Sequence, residues 1–253
     1  MGVPLVFPES WVDEWGEDEY GLWMGFTLKG IYQVLRWIPS GEFMAGSAIG
    51  IGNSDEYPQH RVKLTHGFWL ADVACPQVLW ETVMGDKPSH FKGEQRPVEQ
   101  VSWANVQAFL TALNEMVPGL DADLPTEAQW EYACRAGTES AYSFGEEATP
   151  ELAQFGQAWG KVGTVEVKSF EPNGLGLYQM HGNVWEWCRD GKREYAEEEA
   201  LDPVGTGSGD YMVRGGSWRD LADNSRAAFR KCWHSDLRLD SLGFRIACGS
   251  SLR

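Results

Sequence analysis

The chain has 253 residues, of which 43% are apolar, so it can fold as one large or two small domains with a sizeable core. Its formal charge of −16, from 37 acidic and 21 basic residues, would repel a nucleic-acid backbone, and we expect no nucleic-acid partner. No apolar run approaches the ~20 residues of a membrane span, and no signal-peptide pattern is present. We therefore predict a cytoplasmic protein with no membrane partner.

The N-terminal residues are rich in tryptophan and acidic side chains. Trp11, Trp15, Tyr20 and Trp23 recur every three to five residues, which favours a short amphipathic helix at the start of the chain. This helix would lead into the first strand of a hairpin.

The hairpin is predicted from two runs joined by a turn at Lys29-Gly30. Residues 22–28 form the first strand, and the alternation of side chains over residues 31–38 predicts the second. No repeat or low-complexity linker divides the rest of the chain. We predict one domain, residues 37–253, with an N-terminal extension of residues 1–36 packed on it.

Three helices are predicted from capping signals. Pro76 begins a short helix that ends at Gly85. Ser102 caps a second helix over residues 102–117, and a capping box at Thr126 begins a third over residues 126–136, which Gly137 would stop. Beyond Gly137 we expect little regular structure and a surface loop over residues 138–170, so the fold class is α+β with a short-stranded second half.

Several blocks of sequence carry a specific resemblance. They are residues 124–137, residues 182–187, Arg214-Gly215-Gly216-Ser217-Trp218, Arg226-Ala227-Ala228-Phe229-Arg230 and Leu242-Gly243-Phe244-Arg245. Together these blocks resemble the formylglycine-generating enzyme (sulfatase-modifying factor) family over roughly residues 37–247. The resemblance implies a C-type-lectin-like fold with little regular secondary structure. Trp130, Trp185 and Trp218 would then fill the core.

Copper chemistry is the activity that this resemblance implies for the family. Its enzymes oxidise a substrate cysteine with copper held by two cysteine thiolates, shortly after the Gly-Gly-Ser-aromatic block. This chain has Asp220 and Ser225 at those offsets, and no cysteine between Arg189 and Lys231. Because a soft metal ion requires soft ligands, we expect neither copper binding nor catalysis, and no required cofactor.

Calcium is the other metal that the resemblance implies. The ligands carried over from the family are the side chains of Gln179 and Glu186 and the backbone carbonyls of Gly182 and Val184. Gln179 stands where the family has Asp or Asn, which lowers the ligand charge and the expected affinity. A structural calcium ion therefore stays open at this stage.

Two segments between the blocks, residues 219–221 and 231–241, follow neither a helical nor a strand period. Some members of the family are variable proteins of diversity-generating retroelements, in which adenines of Asn-type codons near the end of the gene are randomised. The side chains present at most of these positions are reachable from such codons, whereas those of Lys231 and Trp233 are not. The predicted ligand-binding residues are Arg219, Asp220, Leu221, Cys232, Trp233, His234, Ser235, Leu237, Leu239, Asp240 and Ser241.

The first hypothesis is therefore a non-catalytic protein that displays a diversified surface to a protein or other macromolecular ligand. We expect these side chains, Trp233 apart, to lie mostly exposed on one face. An ordinary variable loop without a ligand would give the same pattern. The alternative is a peptide- or protein-modifying oxidoreductase-like enzyme with a divergent active site, built on Cys232 with His234.

Overall fold

The computed structural model describes residues 2–156, 163–207 and 209–249. Short strands and three helices make up its regular structure. Their bounds are β1 Glu14–Asp18, β2 Gly21–Leu28, β3 Ile31–Ile38, β4 Gly41–Ala45, β5 His60–Leu64, β6 Phe68–Ala71, α1 Gln77–Met84, α2 Trp103–Met116, α3 Glu127–Arg135, β7 Trp185–Trp187, β8 Ala200–Leu201, β9 Asp210–Arg214, β10 Lys231–His234, β11 Leu242–Phe244 and β12 Ala247–Cys248.

The N-terminal helix predicted around Trp11 to Trp23 is wrong, because these residues form strand β1, a turn and the start of β2. β1 and β2 pair in an antiparallel hairpin in which Asp18 lies opposite Gly21. The Asp18 carboxylate accepts a hydrogen bond from the Tyr20 amide, 2.9 Å away, and Gly21 adopts a positive φ of 101°. This turn chemistry outweighs the spacing of the aromatic side chains.

The predicted β2–β3 hairpin is confirmed, with Lys29 and Gly30 both in the left-handed region of the turn. It belongs to a five-stranded sheet in the order β1-β2-β3-β6-β12. Strand β3 crosses the boundary predicted between residues 36 and 37, so the sheet is continuous there. The division into residues 1–36 and 37–253 stays a prediction.

The three predicted helices are confirmed to within a residue at each end. In α2 and α3 the cap side chains of Ser102 and Thr126 each accept a hydrogen bond from the amide three residues on. The end of α3 differs in detail, because Ala136 as well as Gly137 adopts a positive φ. The predicted loop 138–170 has no strand or helix in its described part, and residues 157–162 of it lie outside the described residues.

Two smaller sheets complete the fold, in the orders β10-β9-β7-β11 and β4-β5-β8. The core lies between the sheets and the helices, where Trp80 of α1 stacks on Phe109 of α2 at 5.2 Å and Phe244 of β11 meets Phe109 edge-on. No described helix is both long and apolar enough to cross a lipid bilayer. The architecture is α+β, as predicted.

Candidate functional site

The candidate site is the surface formed by residues 219–221, called here the first segment, and residues 231–241, the second segment. The structure brings the two together. Nη1 of Arg219 lies 3.1 Å from Oδ1 of Asp240, and the indole N–H of Trp218 donates to the Asp240 carbonyl at 3.1 Å. Trp218 itself is buried, as predicted. The two segments therefore form one continuous surface.

The first segment leaves the sheet through the turn at Gly215 and Gly216, which both have positive φ. A Cβ at Gly216 would lie 2.3 Å from Oγ of the buried Ser225. Only glycine fits there. We call residues 213–218, 226–230 and 242–245 the frame. The turn that begins the first segment is therefore set by a glycine of the frame.

Trp185 lies beneath the surface and supports both segments. Its indole N–H donates to Oδ2 of Asp220 at 2.8 Å, and its ring lies 5.5 Å from that of Trp233 and 5.8 Å from that of Phe229. The hydroxyl of Ser217 donates to the same Asp220 oxygen. The side chain of Asp220 therefore holds the frame as well as facing the surface.

The second segment is held mainly through its backbone. The Ser235 amide donates to the Gly209 carbonyl at 2.8 Å, and the Ser235 carbonyl accepts from the Trp103 amide at 2.9 Å. The Leu239 carbonyl accepts from the Gln100 amide at 2.9 Å. These bonds do not depend on the side chains at positions 235 and 239, so the path of the segment is set by atoms that every residue except proline provides.

Exposure of the predicted residues is lower than expected. Only Leu221, 73% exposed, and His234 are fully exposed, while Ser241 is completely buried. The intermediate residues are Arg219, Asp220, Cys232, Trp233, Ser235, Leu237, Leu239 and Asp240. The prediction for Ser241 is wrong because this residue enters β11 and its carbonyl accepts the Trp185 amide at 2.8 Å. Cys232 and Trp233, adjacent on β10, pack against different core clusters, so the predicted residues do not all lie on one face.

Four arginines of the frame fix it to the rest of the molecule, a feature that the sequence analysis missed. Each pairs with a carboxylate that is at most 3% exposed. The pairs are Arg214 with Glu131, Arg226 with Glu56, Arg230 with Glu127 and Arg245 with Glu186. The visible signal was an arginine in every frame block, but nothing in the sequence indicated the partners.

The carboxylate of Glu131 lies at the centre of this network, between Arg214 and Arg135. Burial raises the pKa of Glu131, and the guanidinium groups of Arg214 and Arg135 more than offset that, so the pKa lies below its ordinary value. The carboxylate is therefore ionised and pairs with both arginines.

Two of the four proposed calcium ligands, the side chains of Glu186 and Gln179, are already bonded within the protein. Glu186 accepts from Nη2 of Arg245 at 2.9 Å and from the Trp130 indole at 2.7 Å. The Gln179 amide bonds to the backbone of residues 166 and 168. A guanidinium beside Glu186 repels a cation there, so these contacts weigh against calcium, which stays a prediction. The described residues contain no group of three or more His, Cys, Asp or Glu arranged for a metal ion.

Cys232 and His234 lie two residues apart on strand β10. Burial raises the pKa of the half-buried Cys232 thiol, and the nearby Asp210 carboxylate raises it further. A thiol in this state is a poor nucleophile at neutral pH. The imidazole of His234 is exposed, with Nδ1 3.7 Å from the Asp236 carboxylate. The geometry supplies no activated cysteine here.

Comparisons with known proteins agree with the blocks found in the sequence. The family described as "Sulfatase-modifying factor enzyme 1-like domain" matches residues 31–249. The formylglycine-generating enzyme of Thermomonospora curvata is 34% identical over 197 residues, which cover 69% of this chain and 63% of that enzyme. The chain thus spans less than two thirds of the length of this relative.

Two solved structures share the fold over almost their whole length. Treponema denticola variable protein 1 superposes with a TM-score of 0.78 at 27% identity, covering 89% of this chain and 98% of that one. PvdO from Pseudomonas aeruginosa superposes with a TM-score of 0.76 at 22% identity, covering 93% and 98%. The chain belongs to the sulfatase-modifying factor enzyme 1-like family and has the C-type-lectin-like fold of the formylglycine-generating enzymes.

Proposed function

We propose that this protein is a non-catalytic ligand-binding protein whose two surface segments are diversified, as in the variable proteins of diversity-generating retroelements. The observation that carries the proposal is the way the second segment is held. Its backbone bonds to Gly209, Trp103 and Gln100 fix its path without using the side chains of Ser235 and Leu239. The similarity to Treponema denticola variable protein 1 supports the same role.

The ligand is a protein or another macromolecule. A half-buried surface that mixes Trp233 and Leu237 with Arg219 and His234 has the composition of a protein-recognition site, in which aromatic and arginine side chains supply most of the affinity. The free cysteines are in keeping with residence in the cytoplasm. Asp220 and Ser225 stand where the family's oxidases have their two copper-binding cysteines. This difference favours binding over catalysis.

Sequencing many copies of this gene from one population tests the proposal directly. We expect substitutions to concentrate in residues 219–221 and 232–240, at codons derived from adenine-containing triplets, with the frame arginines and Trp218 unchanged. Substitutions spread evenly over the chain would contradict it. A reverse-transcriptase gene with an imperfect repeat of the C-terminal coding sequence should lie nearby, whereas a dedicated substrate gene would favour the peptide-modifying alternative.

A randomised library gives an independent test on the purified protein. Variants with Leu221, His234, Ser235 and Leu237 exchanged together should keep cooperative unfolding and melt within a few degrees of the parent, since surface changes usually cost little. The matched control exchanges four frame residues, Gly216, Trp218, Ala227 and Phe244. Equal losses of folded protein in both libraries would contradict the role of the segments.

A further inference from the structure

Three adjoining cavities, of about 520, 150 and 670 Å³, run across the molecule beside the candidate surface. The first lies against β4, and it shares Ala48 and Arg135 with the second. The second shares Ile51 and Arg226 with the third, which reaches Leu221 of the first segment. A continuous groove therefore leads from β4 to the candidate surface. We call it the β4 groove.

The edge of strand β4 forms one wall of this groove. In its sheet, β4 is the outer strand and pairs with β5. Glu42, Phe43 and Met44 are consecutive and point alternately to the two faces of the sheet, yet all three line the first cavity, while no residue of β5 does. The cavity thus runs along the outer edge of β4. An outer strand presents backbone N–H and C=O groups to which a further strand can bond.

Part of the groove wall is apolar. Phe43 and Tyr132 pack with their ring centres 5.4 Å apart beside the first cavity, and Met44 is 38% exposed there. Further along, Ile51 of the loop after β4 is exposed and lines the second and third cavities. A strand added to β4 would place alternate side chains against these groups.

The charge of the groove is negative. Of its two arginines, Arg226 pairs with Glu56, and Arg135 shares Glu131 with Arg214. The exposed carboxylates along the groove are Glu42, Glu139, Glu146 and Asp223. Glu42 has an exposed partner in Arg61, a contact that solvent and salt weaken. Together with the formal charge of −16, this lining favours an occupant that carries lysine or arginine.

We propose that the β4 groove binds an extended segment of a partner protein, in which apolar residues alternate with basic ones, as a further strand on β4. Backbone bonds to β4 hold the segment, the apolar part of the wall takes one set of its side chains, and the carboxylates attract the other set. Such binding tolerates sequence change in the two diversified segments. The proposal rests on the proposed function only in that the groove ends at Leu221, where the same partner meets the diversified surface.

A fluorescent decapeptide of alternating valine and lysine is the probe, with its valine and glutamate counterpart as the matched control. We expect the lysine peptide to bind with a salt-dependent Kd and to protect the amides of residues 41–45 from hydrogen exchange. The E42K/E139K double variant should bind it at least about tenfold more weakly. The H234S variant, which alters only the diversified surface and lines none of the three cavities, should bind it as the parent does.

Three outcomes would overturn the proposal. One is equal binding of the lysine and glutamate peptides, and another is binding without protection of residues 41–45. The third is that those amides are protected only at concentrations at which sedimentation shows the protein to dimerise. That result would mean that a second copy of this chain binds the edge of β4. Melting curves of both variants identify any loss of fold. None of these results depends on whether residues 219–221 and 232–240 vary in nature, so the two proposals fail separately.

Discussion

The guanidinium of Arg230 and the carboxylate of Glu127 meet side by side, with Nε 2.7 Å from Oε1 and Nη2 2.7 Å from Oε2. Both side chains are at most 3% exposed, and 103 residues separate them in the chain. The pair joins the frame between the two segments to the first turn of α3. Its geometry is the bidentate arrangement in which an arginine–carboxylate contact is strongest.

Removing one partner of this pair should be costly. Glu127→Gln leaves the buried Arg230 charge without its counterion, and we expect the free energy of unfolding to fall by about 3 kcal/mol or more. Urea denaturation at neutral pH measures this. The control is Glu42→Gln, whose pair with Arg61 is more than half exposed and should contribute less than about 1 kcal/mol. Similar losses for the two variants would show that the buried pair does not hold the frame.

The contrast between α3 and its ion pairs shows how far the sequence could lead. The helix follows from local signals, because the Thr126 hydroxyl and the Gln129 amide face each other across one turn. Glu127 pairs with an arginine 103 residues further along the chain, and Glu131 pairs with one 83 residues further along as well as with Arg135 on its own helix. Local patterns carry no information on the two distant pairs, which depend on the complete fold.

The position of the candidate surface could be predicted from the sequence, but the burial of its individual residues could not. The blocks indicated where the two segments begin and end, and the structure brings those segments together at Arg219 and Asp240. Ser241 belongs to a segment with no regular period in the sequence. In the structure it directly precedes β11, and strand β7, which pairs with β11, buries it. At Asp18 the spacing of the aromatic residues predicts a helix, whereas the hydrogen bond from the Tyr20 amide and the positive φ of Gly21 form a hairpin turn.

Surface and frame residues should differ in their effect on stability. We expect Leu221→Ser and His234→Ser to change the free energy of unfolding by about 0.5 kcal/mol or less, because both side chains are exposed. Trp218→Ala should cost roughly 3–5 kcal/mol, since its ring is buried. Ser241→Leu should cost about 1–3 kcal/mol through overpacking. Denaturant melts of the four variants measure these changes, and a tolerant Ser241→Leu variant would return that position to the exchangeable set.

The buried carboxyl of Glu99 should make stability depend on pH. Burial raises its pKa to about 8, although the backbone amides of Phe91 and His90 oppose the shift, and Asp240 adds to it. In the unfolded chain a glutamate titrates near 4.3. Between about pH 4.5 and 8 the folded protein therefore holds a proton that the unfolded chain has lost, and stability falls as the pH rises.

Replacing Glu99 by glutamine keeps its shape and removes this titration. We expect Glu99→Gln to be more stable than the parent by about 2–4 kcal/mol at pH 9, and to show no gain at pH 4.5. Urea denaturation of both proteins from pH 4.5 to 9 gives the difference curve. Comparison with the parent cancels the contribution of Asp190, whose pKa burial raises to about 7 with the same sign. A flat difference curve would mean that Glu99 is ionised in the folded state.

Calcium should add little stability. The carboxylate of Glu186 is bonded to Arg245 and Trp130, so a calcium ion would have to compete with a guanidinium for its oxygens. We expect the melting temperature to change by less than about 1 °C between 1 mM EDTA and 1 mM calcium, since a ligand stabilises only in proportion to its affinity for the folded state. A rise of several degrees that Gln179→Ala abolishes would establish the calcium site implied by the family.

Copper binding tests the expectation that this chain does not carry out the family's oxidase chemistry. Asp220 and Ser225 stand at the offsets of the family's thiolate pair, and Cys232 is the one partly exposed thiol among five free cysteines, whereas Cu(I) binds soft thiolate ligands. We expect no stoichiometric uptake of Cu(I) in competition with a chelator, and no conversion of a cysteine-containing peptide. One equivalent of tightly bound copper that Cys232→Ser removes would contradict this. The double variant Asp220→Cys/Ser225→Cys places two thiols between the first two frame blocks and should gain copper affinity if the thiolates are all that the site lacks.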